Sequence, residues 1–275
     1  MKDKELVMVG MSGGVDSAVS AALLLENDYR VEGLHMTNWN DEEPYCTASQ
    51  DLQDARNACK ELNITMHHVN FSKEYKEKVF QDALKELNEG LTPNPDVLCN
   101  KEIKFEDFAK YAWRLGADKI ATGHYARTIE KKGLTYLLKG IDNNKDQSYF
   151  LHAINPDILQ SVIFPLGELN KEQVRNYAFK KGLPNHNKPD STGICFIGER
   201  PFKDFIKTVD DDSNKKGDQF EKFCKWFLEN DPVWKPQVKK VWLWNNWPDR
   251  WSDKDLGIDL IFEHIDGAIW AVQAK

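Results

Sequence analysis

The sequence has no long apolar run, and its mean hydropathy is −0.62, so it predicts no membrane-spanning helix. Residues 1–9 form a short charged lead into an apolar run. They lack the basic region, the long apolar stretch and the small-residue cleavage site that mark a signal peptide. We therefore expect a cytoplasmic protein with no membrane partner.

Cysteine is scarce, with five in 275 residues, and its uneven spacing matches no zinc-binding pattern. A cytoplasmic compartment keeps thiols reduced, so a functional cysteine is expected to be catalytic or redox-active. Net positive charge is also absent, and a formal net charge of −7 argues mildly against a nucleic-acid binder. An acidic protein can still carry a local basic face. One candidate, more simply read as a solvated helix face, comprises Lys101, Lys104, Lys110 and Arg114.

Predicted strands alternate with predicted helices through the first part of the chain, which favours an α/β fold with a parallel sheet. A polar, charged run at 210–217 indicates a linker, and all but two of the nine tryptophans follow it. We predict one domain over 1–207, a linker over 208–217 and a second segment over 218–275. The predicted strands are 6–9, 31–36, 64–69 and 119–122, and the predicted helices are 16–26, 51–62, 73–87 and 103–115.

The letters SGGVDS at 12–17 follow the first predicted strand and open the first predicted helix. Glycines let the backbone approach an anion, and a helix N-terminus offers unpaired N–H groups and a positive dipole end. Ser12 and Ser17 can add hydroxyl donors, and the Asp16 carboxylate can help to hold Mg²⁺. The pattern is neither the Walker motif nor the dinucleotide-binding fingerprint. It is the signature of a pyrophosphatase loop, found in enzymes that resemble one another in cleaving ATP between the α and β phosphates.

Two cysteines lie in irregular stretches that are rich in glycine, proline or asparagine. Cys99 follows NPDVL at 94–98 and precedes a predicted helix, a position that tends to lower a thiol pKa. Cys195 lies between two glycines in STGICFIG at 191–198. Either cysteine alone is more simply an inert buried residue, but two such loops in an adenylating protein favour a functional pair. The cysteines that lack such settings are Cys46, Cys59 and Cys224.

Longer motifs extend through the same part of the chain. They are GMSGGVDS at 10–17, NPD at 94–96, CNKEIKF at 99–105, ATGHY at 121–125, KDQSYFL at 145–151, FPLG at 164–167 and DSTGICFIGER at 190–200. In this order they resemble the motifs of the bacterial tRNA-specific 2-thiouridylases, over residues 10 to about 205. The resemblance implies an adenine-nucleotide α-hydrolase-like (PP-loop ATPase) fold, with ATP and Mg²⁺ as cofactors and tRNA as a partner.

The resemblance also implies roles for individual residues. ATP would be bound by Gly10, Met11, Ser12, Gly13, Gly14, Val15, Asp16, Ser17, Met36 and Gly123, and Asp16 would also be catalytic. The target base would meet Asn94, Pro95 and Asp96, and further tRNA contacts would come from His124, Lys145, Asp146 and Gln147. Cys195 would receive sulfur as a persulfide from a sulfur-relay or cysteine-desulfurase-linked donor protein. Cys99 would be the nucleophile that attacks the persulfide and forms a transient disulfide with Cys195.

The implied reaction is ATP-dependent 2-thiolation of the wobble uridine (U34) of tRNA. The C2 oxygen of uracil is a poor leaving group. Adenylation makes this oxygen part of AMP, which leaves readily. A persulfide is a strong nucleophile at neutral pH. The base must leave its stack to be reached, which costs less in a single-stranded anticodon loop than in a paired helix.

The thiouridylase pattern stops before about residue 218, so the central domain and C-terminal β-barrel of that family are not matched. The letters GIDLIF at 257–262 and AIWAVQAK at 268–275 predict two strands and resemble the core of Mrr-type restriction endonucleases. There Asp259 and Gln273 would lie near a magnesium ion, and Lys275 near the attacking water. An ordinary hairpin is the simpler alternative. Because the sequence stops at Lys275, before the core helix expected there, we expect an incomplete α+β segment without nuclease activity.

Other interpretations stay open. One is a chimeric or truncated chain with no thiolase turnover. Another is a DNA-binding or nuclease module led by the C-terminal segment. A third is a different ligase of the same phosphate-loop class, such as an argininosuccinate-synthase-like or amidotransferase-type enzyme, and the two cysteine loops argue against it.

Overall fold

The computed structural model describes residues 4–39, 48–89, 91, 93–190, 221–222, 224–229, 234–250 and 258–273. The chain divides into two compact units, each with a hydrophobic core of its own. The predicted domain bounds stay a prediction. The first unit comprises Met1–Gln81 and Asn94–Glu199, and the second comprises Asp82–Pro93 and Arg200–Lys275.

The first unit is built on a five-stranded sheet in which all neighbouring strands run parallel. Its strands are β1 (Leu6–Gly10), β2 (Arg30–Thr37), β3 (Met66–Asn70), β4 (Lys119–Ala121) and β7 (Val162–Ile163), and an antiparallel hairpin of β5 (Ala126–Lys131) and β6 (Leu134–Lys139) stands apart. The strand order is β3-β2-β1-β4-β7. Val7, Met8 and Val9 of the central β1 are fully buried, as expected for a strand covered on both faces. The predicted parallel α/β sheet is confirmed.

Helices connect these strands. They are α1 (Val15–Glu26), α2 (Ala48–Glu61), α3 (Ser72–Tyr75), α5 (Pro95–Leu98), α6 (Phe108–Arg114), α7 (Pro156–Leu159) and α8 (Lys171–Lys180), with a 3₁₀ turn at Ser148–Phe150. A further helix, α4 (Gln81–Asn88), belongs to the second unit from Asp82 onward. Apolar side chains of α1, α2 and α8 share one core cluster with those of β1. An Asn170–Gln173 capping box starts α8, which satisfies two of the N–H groups that a helix end leaves unpaired.

The helix that carries Cys99 begins earlier than the sequence predicted. A π-helical segment, Cys99–Asp107, joins α5 to α6, so the chain is helical from Pro95 to Arg114 instead of from residue 103. Asn94 caps this helix, because its side chain accepts a hydrogen bond of 3.2 Å from the backbone N–H of Val97. Asparagine at the cap followed by proline in the first turn is a standard helix start. The prediction that Cys99 lies in an irregular loop was therefore wrong.

Besides α4, the second unit contains helical residues at 221–222 and 224–229 and a three-stranded antiparallel sheet of order β10-β9-β8. Its cluster of buried residues is Leu228, Val241, Leu260 and Phe262. The expected small α+β segment is confirmed, whereas β8 was not predicted. The strands are β8 (Val238–Leu243), β9 (Leu260–His264) and β10 (Ile269–Val272), with 3₁₀ turns at Lys235–Gln237 and Trp244–Asn246.

None of the helices in the described parts of the two units combines the length and the apolar character that a membrane span needs.

Candidate active site

The predicted nucleotide residues gather at the carboxyl edge of the parallel sheet. Strands β2 and β3 lie on one side of β1, and strands β4 and β7 lie on the other. The topological switch point of the sheet is therefore between β1 and β4. Ligands of open α/β sheets bind at the carboxyl edge beside such a switch point. Ser12 follows β1 there, and Gly123 follows β4.

The loop at 12–17 forms the turn from β1 into α1. Gly14 occupies the N-cap position of α1 without a side-chain cap, so the first N–H groups of the helix are open to an anion. The Ser17 hydroxyl donates to the Gly14 carbonyl oxygen (3.0 Å) and lies 3.2 Å from the Ser12 hydroxyl. Val15 and Ser17 are buried. Together these contacts fix the loop as a rigid cradle.

Two glycines are required by this geometry. Gly13 has φ +84°, and a Cβ there would lie 2.4 Å from the Asp51 carbonyl oxygen. A Cβ on Gly123 would lie 2.9 Å from the Asp16 carbonyl carbon and the Ser17 nitrogen. Both distances are well below van der Waals contact. Gly123 therefore permits the β4 loop to lie directly against the phosphate loop.

Asn185, which the sequence analysis did not identify, stabilises the phosphate loop by hydrogen bonds to its backbone. Its side-chain NH₂ donates to the carbonyl oxygens of Gly13 (3.1 Å) and Gly14 (3.0 Å), and the residue is buried. Lys188, three residues later, donates to Asp51 at 2.8 Å and also binds Asp54. Asn185 and Lys188, which follow α8, thus bind the phosphate loop and the start of α2, respectively.

The Asp16 carboxylate is part of a network of hydrogen-bonded and charged side chains. It accepts hydrogen bonds from the Tyr125 hydroxyl (2.9 Å) and from Lys171 Nζ (2.7 and 2.8 Å). Lys171 Nζ also lies 2.6 Å from Asp190. Burial and the neighbouring carboxylates, chiefly that of Asp16, raise the pKa of Tyr125. The predicted magnesium ligand is therefore bound to two side chains that the sequence analysis missed.

Asp190 ends the described part of the chain before the segment that contains Cys195. Its carboxylate also binds Lys145 (2.8 Å) and Arg175 (3.0 Å). Burial opposes ionisation of Asp190, but the hydrogen bonds from Lys145 and Lys171 prevail and lower its pKa to about 2. Asp190, five positions before Cys195 in the sequence, is thus bound to the network around Asp16. Cys195 itself lies outside the described residues, so its predicted persulfide role stays a prediction.

The other predicted nucleotide residues line the same edge. Gly10 ends β1, and the next residue, Met11, is buried with its carbonyl oxygen 2.7 Å from His35 Nδ1. Burial lowers the pKa of His35, so its ring is neutral near pH 7. Met36 is half-buried on β2. Its predicted contact with the adenosine stays a prediction.

The Cys99 thiol is buried beside the end of β2. Asn38 Nδ2 lies 4.0 Å from Cys99 Sγ, which is a weak hydrogen-bonding contact for sulfur. Asn100, the next residue, is also buried and donates to the Phe150 carbonyl oxygen at 3.4 Å. Cys99 is thus at the carboxyl edge of the sheet, where β2 leads into Asn38.

The charge of Lys104 acts on both Asp96 and His124. Asp96 is accessible to solvent, yet the protein around it raises the pKa of its carboxyl group by desolvation, which Lys104 opposes. Desolvation, followed by the charge of Lys104, holds the pKa of His124 well below its usual value. His124 Nδ1 lies 2.8 Å from the Thr122 hydroxyl. A neutral, partly accessible imidazole can exchange hydrogen bonds with a neutral ligand.

The predicted tRNA-binding run at 145–147 is largely engaged within the protein. Asp146 accepts hydrogen bonds from the Gly140 N–H (3.1 Å) and from Ser148. Gln147 Oε1 accepts from the Tyr125 N–H at 3.0 Å. Lys145 pairs with Asp190. These side chains shape the loop beside the network, and a direct contact with tRNA stays a prediction for them.

The candidate basic face is partly neutralised. Lys101 forms an ion pair with Glu102 at 2.7 Å, and Lys110 pairs with Glu106 one helical turn earlier. These pairs agree with the simpler interpretation of a solvated helix face.

In the second unit, Asp259 and Gln273 are neighbours across β9 and β10. Leu260 pairs with Val272, and the Asp259 N–H donates to the Val272 carbonyl oxygen at 3.0 Å. Burial, followed by the charges of Asp259 and Glu221, raises the pKa of Cys224 to about 11. Across the described residues of both units, no group of three or more histidine, cysteine or acidic side chains is arranged to hold a metal ion. Lys275 lies outside the described residues.

Tyr125, Lys171 and Asn185 are site residues that the sequence did not indicate. Tyr125 ends the ATGHY motif at 121–125, and that position could have pointed to it. The Asn170–Gln173 capping box would have placed Lys171 at the start of a helix, but nothing local shows which strand that helix end faces.

Comparison with known proteins follows the division seen in the structure. A family model described as the tRNA methyl transferase HUP domain matches residues 5–199, which confirms the adenine-nucleotide α-hydrolase-like fold. A restriction endonuclease family model matches residues 229–275. The predicted resemblances of both parts are therefore confirmed.

Curated relatives match about three quarters of the chain. The tRNA-specific 2-thiouridylase MnmA of Pseudomonas fluorescens (strain SBW25) is 56% identical over 206 residues, which are 74% of this chain and 55% of that protein. The MnmA of Marinomonas sp. (strain MWYL1) is 57% identical over 203 residues, which are 73% of this chain and 52% of that protein. The chain spans about half the length of these curated relatives.

Among solved structures, the U34-tRNA thiolase NcsA from Methanococcus maripaludis covers 86% of this chain and 69% of its own, with a TM-score of 0.46 and 18% identity. A likeness of this size carries no functional argument.

Proposed function

Because this chain belongs to the tRNA methyl transferase HUP domain family, we propose that it catalyses ATP-dependent 2-thiolation of the wobble uridine (U34) of tRNA. The curated relatives at 56% and 57% identity are named tRNA-specific 2-thiouridylases. The observation that carries the proposal is the joint placement, at one sheet edge, of the Ser12–Ser17 cradle and the buried Cys99 thiol.

In the first step, the cradle binds the phosphates of ATP. The open N–H groups at the start of α1 supply hydrogen-bond donors. The hydroxyls of Ser12 and Ser17, which donate within the loop in this structure, would turn to donate to the phosphates. Mg²⁺ suits this site because the Asp16 carboxylate is a hard oxygen donor at the mouth of the cradle, and there it would neutralise phosphate charge. The uridine O2 attacks the α-phosphorus of ATP, and pyrophosphate leaves.

The flipped uridine would contact Asp96 and His124, the two side chains on which the charge of Lys104 acts. A neutral His124 ring and an Asp96 carboxyl with a raised pKa can exchange hydrogen bonds with the uracil edge without introducing an unpaired charge. Asn94 and Pro95, which start the helix beside Asp96, would hold the position of this contact. Adenylation of O2 makes C2 electrophilic.

In the second step, the outer sulfur of a Cys195 persulfide attacks C2, and AMP leaves with the former O2. The Cys99 thiolate then attacks the inner sulfur of Cys195. The S–S bond to the substrate breaks, 2-thiouridine is released, and a Cys99–Cys195 disulfide forms. A thiol reductant supplies the two electrons that return both cysteines to thiols, and a sulfur-relay or cysteine-desulfurase-linked donor protein reloads Cys195.

The nature of the ATP products tests the adenylation step. Wild-type protein, incubated with Mg²⁺-ATP labelled at the α-phosphate and with unmodified tRNA, should release AMP and pyrophosphate only when tRNA is present. Ser17→Ala should lose this release, and Ser72→Ala, outside the site, should retain it. Release of ADP and phosphate instead would rule out an adenylating enzyme.

A second candidate function concerns the second unit alone. The match to a restriction endonuclease family model and the pairing that brings Asp259 beside Gln273 support DNA binding or cleavage by residues 218–275. Magnesium-dependent nicking of supercoiled plasmid that disappears in Asp259→Ala would support this role. Nicking that persists in that variant would assign it to a contaminant.

A further inference from the structure

Lys171 is enclosed between two carboxylates. Its Nζ lies 2.7 Å from Asp16 and 2.6 Å from Asp190, and only 13% of its side chain is exposed. The ammonium also lies 5.8 Å from the centre of the Tyr125 ring, a cation–π distance. A lysine side chain loses much conformational entropy when it is held in this way. Strong attraction to the two carboxylates must offset this cost.

The backbone of Lys171 is fixed independently of its side chain. Lys171 opens α8, its N–H donates to the Asp142 carboxylate at 3.0 Å, and the Asn170–Gln173 capping box holds the helix start. The four-carbon side chain can therefore change partners while α8 remains in place.

Asp16 and Asp190 would each keep other hydrogen-bonding partners if the Lys171 ammonium moved away. Asp190 keeps Lys145 at 2.8 Å and Arg175 at 3.0 Å if Lys171 leaves. Asp16 keeps the Tyr125 hydroxyl at 2.9 Å, and it can take a divalent cation in place of the ammonium. If the Lys171 ammonium moves to another anion, both carboxylates thus still have a partner.

The phosphate loop contains no lysine or arginine in its six residues. A Walker loop carries its own lysine for the β- and γ-phosphates, so a triphosphate here needs a cation from another element. The surroundings of Tyr125 are otherwise acidic, with Asp16, Asp142 and Asp190 all raising its pKa.

We infer that Lys171 is the phosphate-binding cation of this site: it pairs with Asp16 before nucleotide binds and with the β- and γ-phosphates of ATP afterwards. The inference rests on the proposed function, since it presumes an ATP site at residues 12–17. In the bound state Asp16 turns to the magnesium ion, and Asp190 stays with Lys145 and Arg175.

Calorimetric titration of the full chain with Mg²⁺-ATP, pyrophosphate and AMP tests the assignment. Lys171→Met should weaken ATP and pyrophosphate binding about 10- to 100-fold, the range of a charge-assisted hydrogen bond, and should change AMP binding less than about twofold on the same argument. Lys171→Arg should retain most of the affinity. Lys180→Met, at the exposed far end of α8, is the matched control and should bind all three ligands as the wild type does.

Asp190→Asn supplies a second test that removes no cation. It takes away a competitor for Lys171, so ATP should bind as tightly as in the wild type or more tightly. If Lys171→Met does not fold, this variant decides, and a tenfold loss of ATP affinity in it overturns the assignment. Equal losses for ATP and AMP in folded Lys171→Met would also overturn it, since they indicate a purely structural role. Wild-type protein that binds none of the three ligands refutes the proposed function together with this inference, whereas wild-type binding that Lys171→Met leaves unchanged refutes the inference alone.

Discussion

Replacing Gly13 by alanine should damage the phosphate loop in two separable ways. The backbone of Gly13 has φ +84°, and the new Cβ would lie 2.4 Å from the carbonyl oxygen of Asp51. The left-handed conformation costs an alanine about 1–2 kcal/mol, which is offset by about 0.4–1 kcal/mol because alanine restricts the unfolded chain. The clash adds about 1–3 kcal/mol, the usual cost of overpacking.

Two other glycines separate these contributions. Gly116 has φ +87°, but a Cβ there would meet nothing within 4 Å, so Gly116→Ala should cost about 1 kcal/mol from conformation alone. Gly123 has no positive φ, but its Cβ would lie 2.9 Å from the backbone of Asp16 and Ser17. Gly123→Ala should cost about 1–3 kcal/mol from the clash, reduced by the about 0.4–1 kcal/mol that comes from restriction of the unfolded chain. Gly13→Ala combines both effects and should lose about 2–4 kcal/mol.

Urea unfolding followed by far-ultraviolet circular dichroism measures these free energies of unfolding, and ATP titration measures the consequence for the loop. Gly13→Ala and Gly123→Ala should weaken ATP binding, and Gly116→Ala should not. If Gly13→Ala were no less stable than Gly116→Ala, the close approach of the loop to α2 would be refuted.

The remaining predictions concern the side chains that hold the network. Asn185→Ala should lower the free energy of unfolding by about 1–3 kcal/mol, because the buried Gly13 carbonyl oxygen loses its hydrogen bond from Asn185 and the Gly14 carbonyl oxygen keeps only the one from Ser17 among side chains. Asn185→Asp should be worse, since it sets a carboxylate against the same oxygens; equal stability of the two variants would contradict this. The pKa of Asp190 is lowered to about 2 from its ordinary value of 3.8, so its contribution to stability is present above pH 4 and is lost as the pH falls towards 2. Asp190→Asn should flatten the pH dependence of unfolding in that window, and an unchanged profile would show that the ion pairs do not form in solution.

The sequence predicted the parts of the fold that have a local signal. The buried run before Gly10 and the glycines at 13 and 14 indicate strand, turn and helix in a window of about ten residues, and the structure has them in that order. The helix start at Pro95 carried a signal as well, in Asn94 followed by proline, but the irregular composition of that stretch outweighed it. The short β7, of two residues, has too few residues for a periodic pattern.

The charged network could not be predicted, because its members are far apart in the chain. Asp16 and Lys171 are separated by 155 positions, and Asn185 reaches Gly13 across 172. Only the folded sheet brings the start of α8 and the segment after it to the loop behind β1. Motif spacing therefore located the loop and the first cysteine, whereas the residues that orient the loop required the tertiary structure.

Formation of 2-thiouridine in tRNA tests the central claim most directly. Unmodified tRNA would be incubated with Mg²⁺-ATP, cysteine, a cysteine desulfurase as persulfide donor and a thiol reductant, and its nucleosides would be analysed by mass spectrometry. The MnmA of Pseudomonas fluorescens would serve as the positive control. We predict 2-thiouridine at position 34 from the wild type with ATP, and none from Cys195→Ala or without ATP. Cys99→Ser should form much less, because only the added thiol can then cleave the disulfide between Cys195 and the substrate. No 2-thiouridine from a folded wild-type chain that binds ATP, under conditions in which the control is active, would contradict the claim.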